Sequence, residues 1–196
     1  MRNEATRGFG FLENFLLRRR ASLADKLIPS ELRQGCLLDI GCGSQPLFLS
    51  RINFKTKYGL DPNVASSASV DGLEIIKAEF NGQVLPFADN FFQTITMLAV
   101  VEHLLPEQVA GLFQEIWRSL AVGGRLILTT PAPHSQKILD LMAGLRLVSR
   151  EEIAEHKKYY SLKELAELCQ EAGFKQTEIA TGYFELGFNQ WLSAVK

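Results

Sequence analysis

Seven residues, Leu37-Leu38-Asp39-Ile40-Gly41-Cys42-Gly43, constrain this chain more than any other stretch. Apolar residues interrupted by one acid and closed by Gly-x-Gly describe a buried strand running into a tight turn. Glycine tolerates positive φ and admits a ligand close to the backbone. Asp39, two residues before the first glycine, puts a carboxylate at the mouth of that turn. A carboxylate there suits a ligand carrying positive charge rather than one led by phosphate. The dinucleotide fingerprint needs a third glycine where helix packs on strand, and Pro46 stands in that place. NAD and FAD are disfavoured on this ground.

Three further segments extend the pattern. Tyr58-Gly59-Leu60-Asp61 is a short strand ending in an acid 22 residues after Asp39. In a βαβ unit an acid at about that distance reaches the ribose hydroxyls of a nucleoside. Ile75-Ile76 leads into Ala78-Glu79-Phe80. Leu85-Pro86-Phe87-Ala88-Asp89-Asn90-Phe91-Phe92 then precedes an apolar run from Thr94 to Val101, followed by Glu102-His103-Leu104. Alternating strands and acids fit a parallel sheet whose ligand lies across the strands' carboxyl ends.

At these residues, over roughly 35–196, the chain resembles the class I S-adenosylmethionine-dependent methyltransferases. The resemblance implies an α/β fold: a Rossmann-like, seven-stranded, mostly parallel sheet with helices on both faces and a C-terminal antiparallel hairpin. It also implies S-adenosylmethionine as cofactor. Asp39, Gly41, Cys42 and Gly43 would line its amino-acid end, and Asp61 with Pro62 would meet the ribose. Glu79 would face the adenine amino group, with the Phe80 N–H on the ring and Asn81 as the rival to Glu79. Ala99 would offer its carbonyl beside the ammonium. Two departures from the family pattern stand out: Gln45 where glycine is common, and Gln93 where aspartate is common.

The 196 residues, 46% of them hydrophobic, supply one domain with a full core. A net charge of −1 gives no field that would draw nucleic acid, and no Asn-Pro-Pro-Tyr-like tetrad follows the fourth strand. Cys36, Cys42 and Cys169 form neither a Cys-x-x-Cys pair nor a cluster with the histidines, which argues against zinc and disulfides. In the turn, Cys42 reads as a small residue that fits before it reads as a reactive thiol. No stretch is long and apolar enough to span a bilayer and no cleavable signal is evident, so the expected location is the cytoplasm.

Residues 1–33 read as a helical cap, with Phe11, Phe15, Leu16, Leu23, Leu27 and Ile28 able to share a face and Pro29 ending the run. Seven basic residues against four acids, including Arg18-Arg19-Arg20, make the segment locally basic; such a run reads as a solvated face. Strands are predicted at 36–41, 56–60, 74–78, 93–99, 124–130, 175–181 and 188–195, the last two split by Gly182 and Gly187. Helices are predicted from Pro106 to about Leu120 and, behind the capping box Ser161-Leu162-Lys163-Glu164, to Ala172. The cofactor-binding half is then 34–130, the substrate-pocket insertion 131–160, and the closing helix and hairpin 161–196.

Methyl transfer is an in-line displacement from an already activated donor, so alignment carries most of the work. A general base is needed when the acceptor arrives protonated. His103 after the fourth strand and His156 before the last helix are the candidates; His134 is weaker. Some quinone-biosynthesis members of this fold hold a metal here with two glutamates and a histidine. Ala99 replaces one glutamate, and Glu102-His103 alone makes a poor site for a hard cation, so no metal is expected. The expected function is methyl transfer to a small-molecule or glycan-type acceptor, at oxygen. The alternatives are a catalytically silent cofactor-binding module, motivated by Gln93 and Ser44-Gln45-Pro46, and a nucleotide-sugar or NAD enzyme. The oligomeric state is left open.

Overall fold

The computed structural model describes residues 13–70, 72–78, 84–136, 138, 144, 153 and 156–196. Helix α1 (Glu13–Leu27) precedes β1 (Cys36–Ile40), a five-residue α2 (Leu47–Arg51), β2 (Thr56–Leu60), β3 (Ala68–Val70) and β4 (Leu73–Ile76). Then come β5 (Phe92–Leu98), α3 (Pro106–Ser119), β6 (Leu120–Pro131), α4 (Leu162–Ala172), β7 (Ile179–Phe184) and β8 (Asn189–Val195).

These strands form one sheet in the order β3-β4-β2-β1-β5-β6-β8-β7. Strands β4, β2, β1, β5 and β6 run parallel, whereas β8 and β7 close one edge antiparallel. An eighth strand, three-residue β3, pairs antiparallel with β4 at the opposite edge and adds to the seven anticipated. Its Ala-Ser-Val is too short to leave a pattern in sequence. The hairpin's first strand begins at Ile179 because Gln176–Glu178 forms a 3₁₀ turn. Gly182 lies inside that strand instead of breaking it. A Cβ there would stand 2.7 Å from the Trp191 indole nitrogen, so the glycine makes room for the ring.

Two apolar clusters occupy the two faces. Leu38, Ile40, Ile95 and Met97 pack with Val109, Leu112, Phe113 and Ile116 of α3 and Leu165 and Cys169 of α4. On the other face, Ala24 and Ile28 meet Leu37, Phe48, Leu49, Ile52 and Ile127. Helix α1 therefore packs Ala24 and, in part, Ala21 on the sheet, with Ile28 buried just past its end, while Phe15, anticipated on the inner face, is 56% exposed. Caps form as their sequences require. Ser161 Oγ accepts from the Glu164 N–H at 3.2 Å, Glu164 Oε2 accepts from the Ser161 N–H at 2.8 Å, and Gly173 takes φ 118° after α4.

The Leu85–Phe92 segment plugs the amino ends of the strands. Phe87, Phe91 and Phe92 surround Tyr58 edge-to-face at 5.5–5.6 Å. Arg118 holds the plug by donating to the Phe87 and Leu85 carbonyls at 2.9 and 3.1 Å and to Asp89 at 2.6 Å. It is itself steadied by Glu115, which accepts the Leu85 N–H at 2.8 Å. Arg118→Ala leaves these carbonyls without their charged donor and is expected to cost about 3 kcal/mol, measured by urea unfolding. An unchanged midpoint would contradict this role. Gln93 belongs to the same end: its Oε1 accepts from the Cys36 N–H at 2.6 Å. Gln93, one of the two positions that depart from the family pattern, therefore sits at the amino ends of β1 and β5, away from their carboxyl ends.

Candidate active site

Parallel pairing sets Asp39 level with Gly59 on one side and Thr96 on the other, so the carboxyl ends of β1, β2 and β5 form one rim. The turn after β1 is pinned there. Gly41 and Cys42 both donate to the Leu60 carbonyl, at 2.7 and 3.4 Å, and Gly41 and Gly43 take φ of 75° and 76°. An L side chain at Gly41 would be strained by that φ and would place Cβ 2.3 Å from Val100.

Asp61 braces the turn from β2: its Oδ2 accepts from the Gly43 N–H at 2.9 Å and its Oδ1 from the Asn63 N–H at 2.7 Å. Asp39 accepts from the Thr96 hydroxyl at 2.7 Å. Both acids are buried. Burial pushes the Asp39 carboxyl up to about 7 despite that hydrogen bond, and the charge of Asp61 adds to the push. A positively charged ligand would relieve this unfavourable placement of charge. Cys42 is buried and packs over Gly59, where a Cβ would lie 2.8 Å from its sulfur. That geometry is the small packing residue anticipated. Pro62 lies exposed just past Asp61.

Ala99, at the end of β5, takes a left-handed φ of 57° and donates its N–H to the Thr129 carbonyl at 2.9 Å. This unusual backbone for a non-glycine residue swings Val100 against the glycine turn. Glu79, Phe80 and Asn81, the anticipated adenine contacts, lie outside the described residues, as does most of 137–155.

Arg20 was not foreseen at the site. In the Arg18-Arg19-Arg20 run the first two are exposed, but Arg20 is half-buried. It lines a cavity with Leu17, Ala21, Asp39, Gly41, Cys42, Gln45 and Phe48. Its Nε is buried with no hydrogen-bond partner among the described residues, and its charge acts on Glu102 and Glu185. Helical spacing is the signal that could have revealed it: Arg20 stands four residues before buried Ala24, which itself stands four before Ile28.

Beyond Val100 the chain makes a 3₁₀ turn, Val101–His103, in which Glu102 is buried. Burial lifts its carboxyl to about 7, against the pull of Arg20 and a 2.8 Å hydrogen bond from the Thr130 hydroxyl. The Glu102 carbonyl accepts from the N–H groups of Lys157 and Lys158 at 2.7 and 3.3 Å, which draws the 156–160 segment onto the rim. His156 thereby meets His103 edge-to-face, ring centroids 4.7 Å apart, and its Nδ1 lies 2.9 Å from the Tyr159 hydroxyl. The two histidines proposed from sequence form one cluster. His134 does not join it; that residue is exposed and its ring stands 6.1 Å from that of Tyr183.

The family described as "Methyltransferase domain" matches residues 10–179. A search of curated proteins gives no match. Among solved structures, a SAM-dependent methyltransferase from Archaeoglobus fulgidus is similar at a TM-score of 0.70 and 17% identity, covering 95% of this chain and 98% of that one. An S-adenosylmethionine-dependent methyltransferase from Mesorhizobium loti gives 0.69 and 15%, covering 92% and 100%. A Thermotoga maritima protein described as a possible histamine N-methyltransferase gives 0.64 and 21%, covering 93% and 92%.

Proposed function

Because this chain belongs to the class I S-adenosylmethionine-dependent methyltransferases, we propose that it methylates an oxygen of a small-molecule or glycan-type acceptor. The methyl donor of the family is S-adenosylmethionine, which supplies a methyl group on a sulfonium. The chain's residues suit it. A turn with two left-handed glycines admits close approach, a buried acid of raised pKa faces the turn, and Arg20 lines the same cavity. Asp39 and the Ala99 carbonyl would hold the ammonium and Arg20 the carboxylate of the amino-acid end. Asp61, with Pro62 beside it, would hold the ribose hydroxyls; Glu79 and Phe80 complete the set on the adenine.

The oxygen assignment rests on one observation, the His103–His156 pair at the exit of β5. An acceptor hydroxyl must lose its proton as the new bond forms, and a neutral imidazole within reach can take it. The Tyr159 hydroxyl fixes the orientation of the His156 ring. The exclusion of nucleic acid rests on the balanced charge. Among the described residues no helix is long and apolar enough to cross a membrane. The test is transfer of label from methyl-labelled donor to a panel of hydroxylated and aminated acceptors. Labelled ethers support the reading, whereas products labelled only at nitrogen overturn it.

Asp39 gives cofactor binding a pH signature. In the ligand-free chain it carries a proton below about pH 7, but the cofactor's ammonium pairs with the charged form. Affinity is therefore expected to fall as pH drops below 7, by up to tenfold per unit, with proton release on binding. Titration calorimetry at pH 6 in two buffers of different ionisation enthalpy measures that release. Asp39→Asn should abolish it; proton uptake by the wild type would contradict the assignment.

A further inference from the structure

Glu102, His103 and His156 form a set that the sequence does not display, since His156 lies 53 residues beyond His103. One potential ligand atom from each falls within 4.8 Å of the others. The arrangement is held from outside. The Thr130 hydroxyl donates to Glu102 Oε2 at 2.8 Å, the Tyr159 hydroxyl lies 2.9 Å from His156 Nδ1, and the Lys157 N–H ties the His156 segment to the Glu102 carbonyl. Outer partners of this kind orient the ligands of metal sites.

We propose that Glu102, His103 and His156 bind one divalent transition-metal cation at the acceptor side of the rim. Two imidazoles and one carboxylate suit zinc, cobalt, manganese or iron; magnesium and calcium want more oxygen donors than the set offers. The Arg20 charge acting on Glu102 opposes a cation there, which favours ions bound strongly by nitrogen over ions held by charge alone. Ala99 offers no side-chain ligand, so His156 from the far segment is the third donor and the two-ligand objection from sequence no longer applies.

Three protein ligands leave coordination positions open. The inference rests on the oxygen-acceptor reading: an acceptor hydroxyl in an open position has its pKa lowered and gives its proton to water. Its oxygen then forms the O–CH₃ bond while the S–CH₃ bond breaks, the electron pair of that bond remaining with sulfur. In that step the histidines would serve as ligands in place of the proton-accepting role given to them above, and the cation would activate the hydroxyl.

Metal-stripped protein titrated with Co²⁺, followed by visible absorption, tests the site without any methyl acceptor. Wild type is expected to bind one Co²⁺ per chain with d–d bands in the visible. His156→Ala and Glu102→Gln are each expected to weaken binding by at least about tenfold, with S-adenosylhomocysteine affinity kept as the check on folding. A wild type that takes up no Co²⁺, or a folded His156→Ala variant that binds it equally well, overturns the proposal. Loss of the cation site alone leaves the cofactor reading standing. Failure to bind S-adenosylhomocysteine would instead strike the cofactor assignment whatever Co²⁺ does.

Discussion

Asp61→Ala is expected to weaken S-adenosylmethionine binding by roughly 100-fold or more, the value of two charge-assisted hydrogen bonds to the ribose. Asp61 also accepts the Gly43 and Asn63 N–H groups, so its loss both removes a ligand contact and loosens the turn the ligand rests on. Asp61→Asn removes the charge but only part of the brace: its one carbonyl oxygen can accept from one of the two N–H groups, and the amide NH₂ cannot accept from the other. Calorimetry should place Asn between wild type and Ala. Under the same conditions His103→Ala is expected to bind cofactor within about threefold of wild type. Equal losses for Asp61→Ala and His103→Ala would mean that the ribose assignment is wrong.

His103→Ala has the opposite profile: turnover falls by roughly 10²–10⁴-fold, the usual range for removing a group that handles the acceptor's proton, while cofactor affinity holds. His156→Ala is expected to follow it, because the two rings are in contact and share one task. Non-additivity is the sharper readout. If the pair acts as a unit, through proton transfer or through a shared cation, the double variant should be little slower than either single one. Multiplicative losses would indicate two independent roles, and an unchanged rate would leave the pair structural.

Local chemistry made much of this fold readable in advance. The Gly41–Gly43 turn, the Pro106 start of α3 and the Ser161–Glu164 capping box each depend on neighbours within a few residues, and each forms as its residues dictate. What escaped the sequence depends on partners brought from afar. Gly182 looks like a strand breaker until Trp191 on the paired strand is seen to need its space. Arg20 resembles its exposed neighbours, and only the packing of Ala24 and Ile28 on the sheet decides which arginine turns inward. His156 becomes part of the rim because the Glu102 carbonyl captures the N–H groups of Lys157 and Lys158. Those bonds join segments more than fifty residues apart, and no periodicity records them.

Arg20 changes how the N-terminal helix is understood. A cap that merely covered the sheet would present apolar residues to the cavity. This one adds a guanidinium to the cavity that Asp39 also lines, so groups able to carry charge of both signs meet the glycine turn. That pairing matches a zwitterionic amino-acid group, which the cofactor has at one end. Val100, whose side chain abuts the glycine turn, lies between that turn and the Glu102, His103 and His156 cluster. On the proposed reading, donor and acceptor regions would be contiguous along one rim.

A crystal structure with S-adenosylhomocysteine bound decides where the cofactor rests. The nucleoside should lie across the carboxyl ends of β1 and β2, with both ribose hydroxyls on Asp61, the amino-acid end between Asp39 and Arg20, and the sulfur facing the histidine cluster. Density for the ligand anywhere else, or a bare rim in crystals of protein that binds it in solution, would contradict the account.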